Sequence, residues 1–482
     1  MNNRNKRING KVITYILAIV GIITYISLIF NKNVWLDEAF TASLIRTDFI
    51  NVIDRSIHDT LPPLYNIFLK LSTDLFGYSV PVMKIVSILP MAGTILLGST
   101  FVYQRFGVKT SCLYIICIVS MPQLLYYGLE IRMYSLGFFF ATGAGIFAVE
   151  CIYTAKWKYF LLLSVMTALA GYTHHFALVS SGFVYLFFLI YCFSTRKDLL
   201  QKWMASAFLA MGLYFPCFLI TLKQMGNVHS YFSMPDVTLP VLIKYIRYPF
   251  TVGFTPLTLL LAASMAFILL RFFIYPKNPM SFFLFSYFAI YLCVLVFGAV
   301  ASRIMSANIF VDRYLFPSFG LLWLFFSIEV GKLHTKEYSF FVAIALLVGV
   351  MSYQNIYKLE YTEGVEEMLA YFDENQDKYN GYLVPEGEYE VMECMTFYYP
   401  ELIPYTWRDK EVLRAEIDYT VEIEEASADI WQQHLFYITE RKDSPIPPFL
   451  KEKGYSTSWI QDFHFDRYTF SLYHLNNFYT LE

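Results

Sequence analysis

The 482-residue chain is 57% hydrophobic, 19% aromatic and 16% charged. That is too apolar and too poor in charge for a soluble globular enzyme. Its net charge of −3 conceals a split: residues 355–482 carry 10 Lys+Arg against 26 Asp+Glu, and residues 1–354 carry 26 against 13. A basic membrane body with an acidic soluble tail fits that split, and the acidic tail argues against a nucleic-acid partner.

Residues 1–11 are basic, with Arg4, Lys6, Arg7 and Lys11, and the apolar run 12–30 is long enough to span a bilayer. No small-residue cleavage site follows it, which predicts a retained anchor rather than a secretory leader. Further apolar runs lie at 80–103, 111–128, 133–154, 159–173, 176–193, 203–222, 254–275, 281–301, 314–330 and 338–354. Together they predict about eleven transmembrane helices. Six cysteines lie in or beside these runs and only Cys394 lies in the tail, so neither a disulfide framework nor CxxC zinc spacing is present.

The connections 104–110, 155–158, 194–202, 276–280 and 331–337 are short and basic. With the N-terminus cytoplasmic they all fall on the cytoplasmic side, as the positive-inside rule asks. That orientation places the loop 31–79 and the tail on the external face of the cell membrane. We divide the chain into a membrane domain, 1–354, containing the loop 31–79, and a soluble α/β domain, 355–482.

The loop 31–79 opens with the carboxylate pair Asp37 and Glu38, only a few residues past the first span. A carboxylate is costly in hydrocarbon, so this pair must face water, a partner or a cavity. His58 and Asp59 follow, then Pro62, Pro63 and Tyr65. Leu61, Leu64, Phe68, Leu71 and Leu75 recur at helical spacing with Lys70 and Asp74 opposite, which predicts an amphipathic helix on the bilayer surface.

Three more constellations stand at the same ends of later spans. YYGLEIRMYSL carries Glu130, Arg132 and Tyr134, and its guanidinium suits a phosphate or a structural ion pair. GYTHHFAL carries His174 and His175; adjacent histidines lack zinc-ligand spacing, so substrate hydrogen bonding or packing is favoured. SRIMSANIFVDRYLFP carries Arg303, Asp312, Arg313 and Tyr314. For Arg303, interfacial anchoring and contact with an anionic head group both stand.

The order WLDEAF, HDTLPPLYN, LEIRMYSL, THH, VDRYLFP resembles the bacterial branch of the GT-C fold integral-membrane glycosyltransferases. That branch includes protein O-mannosyltransferase-like enzymes and the lipid A aminoarabinose transferase. The resemblance covers about residues 10–330. One departure is HDTLPPLY, where three residues separate His58 from the Pro-Pro step. The resemblance implies a polyprenyl-phosphate-linked sugar donor, an envelope acceptor and inverting direct displacement. It implies Asp37 as general base supported by Glu38, with Glu130 as the second-loop acid. Arg132 and Arg313 would take the phosphate, with His58, Tyr65, Tyr134, His174, His175, Arg303 and Tyr314 lining the substrate. A divalent cation, Mg or Mn, on Asp37 and Glu130 stays open.

In the tail, 363–375 reads as a helix, 382–385, 435–439 and 468–475 as strands, and IPPFLKEKGY as a short helix closed by Gly454. Asp462, His464 and Asp466 alternate along one strand face, a polar face before a metal site. The alternative function is a transporter or flippase of lipid-linked sugars. Transporters place charges mid-span and often pair broken helices in two halves, whereas here the charges gather at the external boundary and no internal repeat is visible.

Overall fold

The computed structural model describes residues 2–231, 237–275, 278–305, 309–385, 387–408, 411–414, 435–440, 446, 448–464 and 468–477. The helices run α1 (Asn2–Ile26), α2 (Leu36–Leu44), α3 (Phe49–His58), α4 (Leu64–Phe76), α5 (Val80–Leu97), α6 (Tyr103–Ser120), α7 (Leu124–Leu129), α8 (Tyr134–Thr154), α9 (Trp157–Thr173) and α10 (His175–Ser194). They continue as α11 (Leu200–Tyr231), α12 (Leu239–Arg247), α13 (Thr255–Ile274), α14 (Pro279–Ile304), α15 (Phe319–Gly331), α16 (Thr335–Glu360), α17 (Gly364–Asn375), α18 (Tyr389–Tyr398) and α19 (Pro448–Glu452). The chain divides into two units: Met1–Ile29 with Asp48–Ile356, and Phe30–Thr47 with Tyr357–Glu482.

Nine helical runs among the described residues are long and apolar enough to cross a membrane by length and composition. The chain is a multi-pass membrane protein. Nine and the expected eleven differ at two places. The run Val80–Ser120 counts once, yet it turns back at Gly107, whose φ of +84° only glycine adopts cheaply. The Ser111 hydroxyl donates to the Gly98 carbonyl at 2.8 Å across that reversal. A straight helix would hold those residues about 20 Å apart. The other difference is α9, which has only 17 residues.

Helices α8 and α15 are buried almost all round and form the centre of the bundle. They approach closely through small residues: a side chain at Gly320 would collide with Thr142, and one at Gly145 with Leu321. The Tyr287 hydroxyl adds a bond to the Gly145 carbonyl at 2.6 Å. Peripheral helices leave apolar faces open, such as Ile16, Ile19 and Ile23 of α1 and Leu259 and Leu270 of α13, as expected where hydrocarbon is the solvent.

The amphipathic stretch 61–75 forms α4, with Pro63 at its N-cap and Gly77 after its end. It has two apolar faces where the sequence showed one. Tyr65, Leu69 and Thr73 pack into the unit, while the stripe Phe68, Leu71 and Leu75 stays open. Lys70 and Asp74 pair at 2.7 Å on its flank.

The second unit holds a six-stranded sheet of β1 (Gly381–Leu383), β2 (Ile403–Arg408), β3 (Glu411–Arg414), β4 (Leu435–Thr439), β5 (Tyr455–His464) and β6 (Thr469–Asn477), ordered β3-β2-β1-β4-β6-β5. The central strands β2, β1 and β4 are parallel, and β3, β6 and β5 add antiparallel edges. The parallel β1–β2 step needs a crossover, and α18 supplies it. Leu383, Tyr405, Leu435, Tyr437, Ile446, Leu450 and Tyr455 form a core. The α/β character expected for the tail is present, with strands at the three expected places. Asp462 accepts bonds from Ser471 Oγ at 2.8 Å and Trp459 Nε1 at 2.9 Å, and His464 Nδ1 lies 3.1 Å from Thr469 Oγ1. Those contacts make a hydrogen-bonded strand face; Asp466 lies outside the described residues.

Candidate active site

In the first unit, four inter-helix connections contribute polar side chains. Glu130 is buried at the end of α7, in a tight turn closed by Arg132 N–H donating to the Glu130 carbonyl at 2.6 Å. That carbonyl also accepts Ser87 Oγ of α5 at 2.6 Å, and Ser87 Oγ lies 2.8 Å from the buried Tyr65 hydroxyl of α4. Tyr65 and Glu130, distant in sequence, are thus joined through one serine.

His174 lies between α9 and α10, outside both helices, and is buried. Its Nδ1 accepts the Phe176 backbone N–H at 3.1 Å, so the neutral ring carries its proton on Nε2. That Nε2 is buried with no hydrogen-bond partner among the described residues. Burial holds the imidazole well below its ordinary pKa, and the charges of His175, Arg132 and Arg313 push the same way. Both guanidinium groups therefore act on one neutral ring, although Arg132 follows α7 and Arg313 lies in the 3-10 turn Asp312–Ser318 before α15. The ring packs edge-on against Tyr314 at 5.0 Å and beside Tyr134 at 5.9 Å.

Tyr127 extends this aromatic wall, 5.1 Å from Tyr134, and its hydroxyl lies 2.6 Å from that of Tyr248. Burial, then the charge of Asp312, holds the Tyr248 phenol well above its ordinary pKa, so it stays neutral. Asp312 itself accepts the Arg313 N–H at 2.9 Å and pairs with Lys244 at 3.1 Å.

In the second unit, Asp37 is the second residue of α2 and is half-buried. A helix N-terminus favours a carboxylate anion there. Glu38 follows it in the same first turn. Its Oε2 accepts the Trp35 N–H at 3.2 Å, the return half of a capping box that starts α2. Glu38, expected to support Asp37, is buried and caps the helix that carries it.

The chain was also compared with known proteins. No protein-family description matches it, and no curated protein matches it in sequence. Among solved structures, the ArnT of Cupriavidus metallidurans in the apo state aligns over 95% of this chain and 97% of its own, with a TM-score of 0.62 and 11% identity. The same ArnT bound to undecaprenyl phosphate aligns over 96% and 97%, again with a TM-score of 0.62 and 11% identity. The chain has the GT-C fold. A partial likeness, with a TM-score of 0.48 and 10% identity, exists to the archaeal oligosaccharyltransferase AglB of Archaeoglobus fulgidus, covering 92% of this chain and 72% of that one.

Within this GT-C fold the remaining expected residues take other places. His58 is exposed on the last turn of α3, its Nδ1 2.9 Å from the Asp54 carbonyl and 3.6 Å from the Asp54 carboxylate. His175 points its Nε2 at the Thr60 carbonyl, 3.2 Å away, and Gln224 Nε2 donates to the Ser56 and Leu61 carbonyls. His175 thus fixes the α3–α4 turn, while its neighbour His174 feels the charges of Arg132 and Arg313. Arg303 is exposed in the last turn of α14, and no hydrogen bond or ion pair among the described residues ties it to the Glu130 group. Asp37 and Glu130 belong to different units, and among the described residues no group of three or more His, Cys, Asp or Glu converges to hold a metal.

Sequence reasoning missed Ser87, Lys84, Tyr127 and Tyr248 in the GT-C unit. Lys84 is fully buried on α5, one turn before Ser87. An ionisable side chain inside a span is a functional signal by default, and the lysine interrupting the run 80–103 was that signal.

Proposed function

We propose that this GT-C protein transfers a sugar from a polyprenyl-phosphate donor to an acceptor hydroxyl in the cell envelope. The observation that carries this reading is the buried, neutral His174 packed between Tyr134 and Tyr314, with its Nε2 open and the charges of Arg132 and Arg313 acting on it. Two guanidinium forks and one N–H match the oxygens of a phosphate, as charge-assisted bonds require. The bound undecaprenyl phosphate of the ArnT structure supports the same donor class.

In this reading the acceptor oxygen attacks the anomeric carbon, and the bond from that carbon to the phosphate oxygen breaks. The electron pair leaves with the polyprenyl phosphate, whose charge Arg132 and Arg313 stabilise. The acceptor proton passes to Asp37. One displacement inverts the anomeric configuration. Tyr127, Tyr134 and Tyr314 supply flat walls for the sugar and the first isoprene units. Glu130 orients its turn through Ser87 and sets the negative charge beside Arg132. Transfer of label from a polyprenyl-phosphate sugar by the reconstituted protein tests the reading; movement of the lipid without transfer would favour the flippase.

The chemistry belongs on the external face, with the N-terminus cytoplasmic, on the argument of the short basic loops. Asn380→Cys should react with an impermeant thiol reagent in intact cells, and Lys197→Cys should not. The reverse pattern would overturn this orientation.

A further inference from the structure

Helix α2, which carries Asp37, is held within the second unit at both of its ends. At the entry, Tyr398 of α18 donates its hydroxyl to the Lys32 carbonyl at 2.7 Å and accepts the Val34 N–H at 3.2 Å. The Asn33 side chain donates to the Leu359 carbonyl at 2.9 Å. At the exit, the Arg46 guanidinium donates to the Thr396 carbonyl at 3.1 Å and the Phe397 carbonyl at 2.5 Å, and stacks over the Phe397 ring at 5.5 Å. Those carbonyls belong to the last turn of α18, where a helix leaves its C=O groups without internal partners. A cation there also meets the negative end of the helix dipole.

From these contacts we infer that α18 is a clamp that positions Asp37 for proton transfer, with Tyr398 and Arg46 as its positioning residues. The inference rests on the assignment of Asp37 as base. Neither residue is given a chemical step in the transfer. Each fixes one end of a nine-residue helix, which is too short to hold its own shape in water. The two grips differ in chemistry. Tyr398 binds two backbone groups on either side of Asn33, which sets the direction in which the chain enters α2. Arg46 ties the end of α2 to the end of α18. Glu38 then caps the first turn, so the Asp37 side chain has its backbone fixed from both directions. The acidic tail thus acts on the reaction through the base, and the crossover helix of its sheet is the part that does so.

A displaced base costs rate without costing donor affinity, because misplacement by about 1 Å can lower catalysis roughly a hundredfold. Tyr398→Phe keeps the ring and loses both hydrogen bonds, so it should fold; Arg46→Ala attacks the other end. In the full-length protein in nanodiscs, each should lower kcat about tenfold and leave the donor KM unchanged. In the Asp37→Asn background neither should lower kcat further. Hydrogen exchange of the peptide spanning residues 36–44 should rise in both variants, a readout that needs no turnover. Wild-type kcat in both variants, or losses that add fully to that of Asp37→Asn, would overturn the clamp. If the wild-type protein transfers no sugar, the proposed function fails, and unchanged exchange over residues 36–44 would sink the clamp on its own terms.

Discussion

Asp37→Asn should leave the protein folded, inserted and able to bind the donor, yet lower sugar transfer by at least about two orders of magnitude, the range that a positioned base contributes. The asparagine keeps the shape of the side chain and its place in the first turn of α2. What it loses is the capacity to take a proton from the acceptor hydroxyl, a weak nucleophile. Glu38→Gln should cost far less, because the amide oxygen can still accept the Trp35 N–H that the carboxylate holds at 3.2 Å. The two measurements separate a base from a cap, and transfer assays with saturating donor are the place to make them. Wild-type transfer by Asp37→Asn would move the base to Glu130.

The second large effect concerns the cations. Arg132→Ala and Arg313→Ala should each lower kcat/KM for the donor roughly ten- to hundredfold, the range of ~1.5–3 kcal/mol for a hydrogen bond to a charged group. Arg→Lys should restore little at either position, since an ammonium cannot reproduce a bidentate fork. Arg303→Ala is the internal control. It is exposed, and no hydrogen bond or ion pair among the described residues ties it to the Glu130 group, so its loss should be small. Equal losses at all three positions would mean that these arginines act as a general surface potential rather than as a phosphate site, and normal donor use in the Arg132→Ala, Arg313→Ala double variant would remove the assignment.

The membrane helices were legible because a bilayer demands long apolar runs, a signal strong enough to survive even where two helices meet at Gly107. Glu130, Arg132, His174 and Arg313 were legible for a related reason: charged and polar groups at the ends of apolar runs stand out against their surroundings. Ser87 and Tyr127 were not, since a serine or tyrosine near or inside an apolar run reads as ordinary packing. The two histidines show the limit of motif reading. Their adjacency gave them one role, but His174 feels the charges of Arg132 and Arg313 while His175 points at Thr60. The membership of α2 was hidden entirely. It rests on contacts such as Tyr398 with Lys32 and Val34, and no local periodicity announces a hydrogen bond across so much chain. Strand β5 was legible only at its end, where Asp462 and His464 alternate. Its Ser, Thr and Gln residues lie at a sheet edge, where burial does not impose an apolar alternation.

The most direct test of the central claim is a transfer assay on the purified full-length protein in liposomes, with a polyprenyl-phosphate sugar labelled in the sugar and an envelope extract as acceptor. The account predicts label covalently attached to acceptor, released polyprenyl phosphate in equal amount, and an inverted anomeric linkage in the product. Label that crosses the bilayer while remaining on the lipid, with no polyprenyl phosphate released, would contradict it.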